Sequence, residues 1–117
     1  MATPSRGSVV LIPFPFSDLS QSKLRPSVVL APSGKGDWIL CQVTSKRYID
    51  QKAVELSNQD FQTGSLRVTS FARPGKLFTA NDSLIISEIG KLKGNILNSI
   101  ITSVIDILKK DDLQNGT

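Results

Sequence analysis

Apolar residues fall in short clusters along most of the chain and change rhythm only near its end. Val9, Val10, Leu11 and Ile12 are consecutive, as are Val28, Val29 and Leu30. Short apolar runs rich in β-branched residues and bounded by turn chemistry predict strands. Residues 7–16 form the first; Pro13 and Pro15 are expected to end its regular pairing, and Phe14 and Phe16 to pack over one end of the core. Residues 17–23 are a polar loop holding Asp18. Residues 27–31 are a second strand and 38–43 a third. Between these two, Pro32-Ser33-Gly34-Lys35-Gly36-Asp37 has the composition of a hairpin turn.

Residues 53–56 read as a short strand, and 57–61 as a turn or a single helical turn leading to Gly64. Residues 65–71, with Val, Thr and Phe, read as a strand that Arg73-Pro74-Gly75 breaks before extended structure resumes at 76–79. Residues 83–89 fit a strand or a buried helical turn equally well, and 90–95 are a break. From Ile96 the period changes. Ile96, Leu97, Ile100, Ile101, Val104, Ile105 and Leu108 follow steps of three and four, the signature of an amphipathic helix. Asn95 is placed as its N-cap, Lys109 and Lys110 suit its negative end, and residues 111–117 are a flexible tail. Many short strands and one terminal helix predict a mainly β protein, a small strongly bent sheet or barrel that the helix plugs or flanks. No repeat or linker divides the chain, so residues 1–117 form one domain with a core over 6–110.

Composition narrows the chemistry. The 117 residues are 39% hydrophobic and 21% charged, enough for one packed core. A net charge of +4 permits a polyanionic partner without demanding one. The single cysteine, Cys41, sits in an apolar run; it rules out an internal disulfide and reads as a small buried hydrophobe in a reducing, cytoplasmic setting. No apolar run reaches the ~20 residues that span a bilayer, the N-terminus lacks a signal-peptide core, and no membrane partner is expected. Histidine is absent. Serine–histidine, cysteine–histidine and histidine–metal schemes are therefore excluded, and no metal or cofactor is expected.

Three polar groups stand out. Ser22-Lys23-Leu24-Arg25-Pro26 delivers an arginine whose backbone the following proline holds out of the helical region, which puts Arg25 at a loop–strand junction. By itself this reads as a solvated rim arginine, although its fork of donors suits phosphate or carboxylate. Thr44-Ser45-Lys46-Arg47 closes the third strand with two hydroxyls and two cations. The stretch 67–76 offers Arg67, Thr69, Ser70, Arg73 and Lys76, a basic stretch that by itself reads as a solvated strand face. If the second and third strands form an antiparallel hairpin, Arg25 and Thr44 lie at the same end of it.

These residues resemble a known family. Arg6-Gly7-Ser8-Val9-Val10-Leu11-Ile12-Pro13-Phe14 followed by Lys23-Leu24-Arg25-Pro26-Ser27-Val28-Val29-Leu30 looks like the start of the MazF/PemK toxins. Ile39-Leu40-Cys41-Gln42-Val43-Thr44-Ser45-Lys46 is similar to their second signature, and Glu88-Ile89-Gly90-Lys91-Leu92 before a helix resembles their ending. The resemblance implies a small SH3-like barrel with a C-terminal helix, the CcdB/PemK-type toxin fold. It further implies a homodimeric toxin of a type II toxin–antitoxin system, a metal-independent, sequence-specific endoribonuclease that cleaves single-stranded RNA and is held inactive by a small labile antitoxin. Arg25, Thr44 and Ser45 match the family's catalytic positions. Gln21, Lys23, Lys46, Arg67, Ser70, Arg73 and Lys76 are then the expected RNA contacts, with the recognition sequence set by loop shape around Gln21, Lys46 and residues 57–64.

The chain departs from the family in one respect. Many relatives carry an aspartate in the later basic stretch, whereas residues 61–81 here hold no carboxylate. Asp18 is the remaining candidate general base, and a loop-capping role for it is equally consistent. Two further readings stay open: a toxin of the same fold that binds and inhibits DNA gyrase, and a non-catalytic SH3-like binding module.

Overall fold

Leu56 and Phe61 are near neighbours in sequence and lie on strands at opposite edges of one sheet. This is seen in a computed structural model that describes residues 3–15, 22–46 and 52–115. Its strands are β1 (Ser8–Pro15), β2 (Ser22–Gly34), β3 (Asp37–Thr44), β4 (Val54–Leu56), β5 (Phe61–Gly64), β6 (Ser70–Asn81) and β7 (Ser87–Leu92), and the helix α1 covers Gly94–Asn115. Every registered pair is antiparallel, in the order β4-β6-β3-β2-β1-β7-β5.

That order dictates closure. The five chain steps from Leu56 to Phe61 span at most ~18 Å when fully extended. A flat seven-stranded sheet would hold its edge strands ~29 Å apart. The sheet must therefore curl until its edges approach, and it forms a nearly closed barrel. The linking residues are compact as well as short, because Asn58–Asp60 is one 3-10 turn. The predicted barrel with a terminal helix is the observed architecture.

The strands are longer than the sequence pattern suggests. β1 runs through both prolines to pair Pro13 with Leu24 and Pro15 with Ser22. The reason lies in which side of β1 has a neighbour. The carbonyl of Leu11 accepts from the Ile86 N–H on the β7 side. Residues of the same parity turn their nitrogens that way, and β7 has ended there. The missing N–H groups of Pro13 and Pro15 thus cost no ladder bond. The same holds for Pro26, which faces β3 just beyond the last registered pair, Ser27 with Gln42. Arg25 accordingly lies inside β2, opposite Ile12, and not at a loop–strand junction.

Other expectations are corrected as well. Residues 65–71 are not a strand: β5 ends at Gly64, a bend occupies 67 and 68, and β6 begins at Ser70. Arg73-Pro74-Gly75 does not break β6. Opposite β3, Cys41 pairs with Leu77 and Gln42 with Arg73, so Pro74, Gly75 and Lys76 are accommodated as a bulge in a continuous, bent strand. Residues 83–89, left open between helical turn and strand, contain both: a 3-10 turn at Asp82–Leu84 and the start of β7. Residues 90–92, read as a break, complete β7. Asn95 lies inside α1, which begins at Gly94 and continues past Lys110 to Asn115.

Both faces of the central strands are covered, which explains the continuous apolar runs. Val9, Val28, Cys41 and Ala72 belong to one cluster with Leu56, Phe61 and Ile100. Val10, Val29 and Leu40 belong to a second, with Ile85 and Ala80. Phe14 and Phe78 flank the second cluster edge to face, with ring centroids 5.0 Å apart. Helix α1 sends Ile100 fully into the first cluster, with Ile96, Leu97, Ile101 and Val104 packed around it. Ile105 and Leu108 remain 43% and 71% exposed, a surplus apolar edge.

Phe61 reaches the first cluster through a tight strand crossing. A Cβ added at Gly90 would stand 2.8 Å from the Phe61 ring and 2.9 Å from the Thr63 carbonyl, whereas one at Gly94 would meet nothing within 4 Å. Gly90→Ala is expected to lower unfolding free energy by about 1–3 kcal/mol in urea titration, and Gly94→Ala to stay within about 0.5 kcal/mol of the parent. Burial raises the pKa of Cys41 from 9.0 to about 12, against smaller opposing effects from the Arg73 and Val28 backbone. The unfolded chain then ionises first. Stability associated with this thiol is intact below pH ~9 and is lost as pH rises from there towards ~12. At pH 8 the native thiol should react with Ellman's reagent far more slowly than the denatured one.

Candidate functional site

The end of the hairpin built by β2 and β3 opens into a cleft of about 340 Å³. Its polar lining is Lys23, Arg25, Thr44, Ser45, Lys46, Arg67 and Ser70; Leu24, Pro26, Val43, Leu66 and Val68 supply apolar wall. Arg25 and Thr44 each stand two residues beyond the last registered pair, so antiparallel pairing puts them together, as the hairpin argument expected. The third contributor, residues 66–70, arrives because β6 pairs with β3 along its length and sets Phe71 opposite Thr44.

The four cations Lys23, Arg25, Lys46 and Arg67 are exposed. Among the described residues lining the cleft there is neither carboxylate nor imidazole, and four cations gathered in one lining suit a polyanion. Thr44 is half-buried, and its Oγ1 accepts a hydrogen bond from the Lys46 N–H at 3.2 Å. That bond turns the chain at the end of β3 and leaves the hydroxyl proton available for another acceptor. Ser45 is exposed beside it.

Ser70 lines the cleft in a different capacity. It is 3% exposed, and its hydroxyl donates to the Val68 carbonyl at 3.0 Å, fixing the bend that carries Arg67 and Val68. Arg73 and Lys76 are not among the lining residues: Arg73 is registered against Gln42, and Lys76 sits in the bulge that follows. Asp18 and Gln21, expected as candidate base and RNA contact, lie outside the described residues, as does Arg47. No group of three or more potential metal-ligating side chains occurs among the described residues.

Sequence reasoning missed the apolar half of the cleft. Leu66 and Val68 look like strand residues by composition, and only the absence of pairing at 65–69 turns them into a wall. It also missed a second cavity of about 390 Å³ that shares Arg67 and Val68 with the first. On another face, Leu77 of β6 and Val104 and Leu108 of α1 border an apolar groove of about 290 Å³ with Arg6 at its rim.

A family model described as PemK-like, MazF-like toxin of type II toxin–antitoxin system matches residues 5–108. Among solved structures, a chain of MazE–MazF from Deinococcus radiodurans aligns with a TM-score of 0.73 at 18% identity, covering 92% of this chain and 97% of that one. An endoribonuclease from a mycobacterial species aligns at 0.67 and 19%, covering 92% and 93%. A mycobacterial endoribonuclease in complex with its cognate antitoxin aligns at 0.69 and 17%, covering 90% and 94%. At such identities the likeness speaks for the fold. No curated protein matches the sequence significantly.

Because the Ser70 hydroxyl is buried and engaged, Ser70→Ala leaves the Val68 carbonyl short of a donor. A loss of about 1 kcal/mol is expected in thermal or urea unfolding, with faster amide exchange at residues 67–70.

Proposed function

The chain belongs to the PemK-like, MazF-like toxins of type II toxin–antitoxin systems, and on that premise we propose that it is an endoribonuclease that cleaves single-stranded RNA through the substrate's own 2′-hydroxyl. The observation that carries the reading is the cleft that gathers Lys23, Arg25, Thr44, Ser45, Lys46 and Arg67, with no imidazole or carboxylate among its described lining residues. Its described lining residues are poor in nucleophiles and bases and rich in phosphate ligands. In-line RNA cleavage suits it, because the attacking group arrives with the substrate.

In the proposed reaction the 2′-oxygen gives up its proton and bonds to phosphorus. The bond from phosphorus to the 5′-oxygen breaks, and that oxygen takes a proton. The products are a 2′,3′-cyclic phosphate and a 5′-hydroxyl. The protein must hold the 2′-oxygen in line and stabilise charge on the pentacoordinate phosphate. Arg25 supplies two donors in a fixed fork to the non-bridging oxygens. The Thr44 and Ser45 hydroxyls donate to phosphate or orient the 2′-hydroxyl. Arginine is too weak an acid to give up its proton readily, so electrostatic stabilisation is its role. Lys23, Lys46 and Arg67 hold the flanking phosphates, and Asp18 is the carboxylate offered as the base. None of these steps requires a metal ion.

The proposal includes a second copy of the chain and a small antitoxin as partners, and a cytoplasmic setting where both meet RNA. The apolar edge at Ile105 and Leu108 supports a protein partner on that face. Structures of the same fold include a MazE–MazF complex and an endoribonuclease with its cognate antitoxin.

Purified protein is expected to cleave single-stranded RNA in EDTA and to leave cyclic phosphate ends. Arg25→Ala should reduce the rate at least 10²- to 10³-fold with the fold intact by circular dichroism, and Thr44→Val roughly 10- to 100-fold. Arg25→Lys should recover little, since a point charge replaces a fork. Cleavage only with added divalent metal would overturn the mechanism. RNA left intact beside inhibited gyrase would replace it with the binding reading.

A further inference from the structure

The cavity next to the cleft has the make-up of a nucleobase pocket. Ser57, Asn58 and Gln59 line it from the link between the sheet edges, and Arg67, Val68 and Thr69 from the segment before β6. Arg67 and Val68 face both cavities. A strand whose phosphate lies in the cleft would pass a neighbouring base directly into this second cavity. Its volume, about 390 Å³, falls in the range of small-ligand clefts.

The turn that forms one wall is locked from within. The Ser57 N–H and hydroxyl both donate to the Asp60 carboxylate, at 2.8 and 3.1 Å. The Asp60 N–H donates to the Ser57 carbonyl at 3.0 Å, and the Asp60 carbonyl accepts from the Lys93 N–H at 2.9 Å. Ser57 and Asp60 are thereby consumed in holding the turn. Asn58 and Gln59, between them, are exposed and make no side-chain hydrogen bond among the described residues. Two carboxamides on a rigid turn present adjacent donors and acceptors at low ordering cost. That is the equipment used to read a base edge, most favourably the edge of adenine. Val68, 58% exposed, offers an apolar contact for the base plane.

We infer that Asn58 and Gln59 are specificity-determining residues that read one unstacked base flanking the scissile phosphate. The inference rests on the endoribonuclease reading and deepens it. Sequence-selective proteins read RNA through unstacked single-stranded bases, so a pocket beside the phosphate site is where selection belongs. The catalytic groups need take no part, and base choice and bond cleavage are separable in this molecule.

The test maps cleavage sites on a long RNA of mixed sequence for the parent, Asn58→Ala, Gln59→Ala and the double variant, alongside Arg25→Ala. The substituted side chains are exposed, and unchanged melting temperatures would confirm intact folds. The double variant is expected to keep cutting, with its preference at one position next to the cut relaxed by roughly tenfold or more. Retention of the parent's preference at every position would overturn the inference while leaving the endoribonuclease reading intact. An equal fall in rate at all sites would also overturn it, by assigning the turn a structural role. Failure of the parent itself to cut RNA would overturn both readings together.

Discussion

Barrel closure by a four-residue link is the constraint on which the rest of this structure depends. β4 and β5 are consecutive strands, and they occupy the two edges of the sheet. The link cannot stretch across a flat sheet, so the sheet curls. Curling brings Leu56 and Phe61 into one apolar cluster with Val9, Cys41 and Ile100, and α1 covers what remains. The hydrogen bonds between Ser57 and Asp60 stabilise the link, and the bond from Lys93 to Asp60 ties it to the residue that precedes α1.

Closure also determines what stands beside the cleft. The 66–70 bend follows β5 and precedes β6, strands from opposite sides of the closure, so the curled sheet places it over the end of the hairpin built by β2 and β3. The cleft therefore combines one wall set by local hairpin register with another set by the global topology. Four exposed cations converge on it without a neutralising carboxylate among the described lining residues. That concentration of positive charge at one end of the barrel suits a polyanionic ligand.

The fold was largely legible in the sequence because its signals are local. Continuous runs such as residues 9–12 and 28–30 announced strands, and the change to three- and four-residue steps at Ile96 announced the helix. The expectations at the prolines fail for one common reason. Composition predicts that Pro13, Pro15 and Pro74 end pairing, but a proline disturbs a ladder only where a neighbouring strand needs its N–H. Pro13 and Pro15 turn towards a side where β7 has ended, and Pro74 sits in a bulge. Which strands have neighbours at a given residue is a property of the sheet and cannot be read from a dipeptide.

The sequence by itself determined the chemistry available: no histidine, one sequestered thiol, an Arg-Pro pair and a Thr-Ser strand end. It also determined their pairing, since antiparallel hairpin geometry alone brings Arg25 beside Thr44. Only the tertiary structure decided which of the later basic residues join them. Arg67 does, Arg73 and Lys76 do not, and Ser70 is turned inward to hold the bend. Charge and hydroxyl content are nearly uniform along that stretch, so composition could not separate them. The separation comes from the bend at residues 67 and 68 and the bulge at 74–76, both consequences of fitting β6 to β3 in a closed sheet.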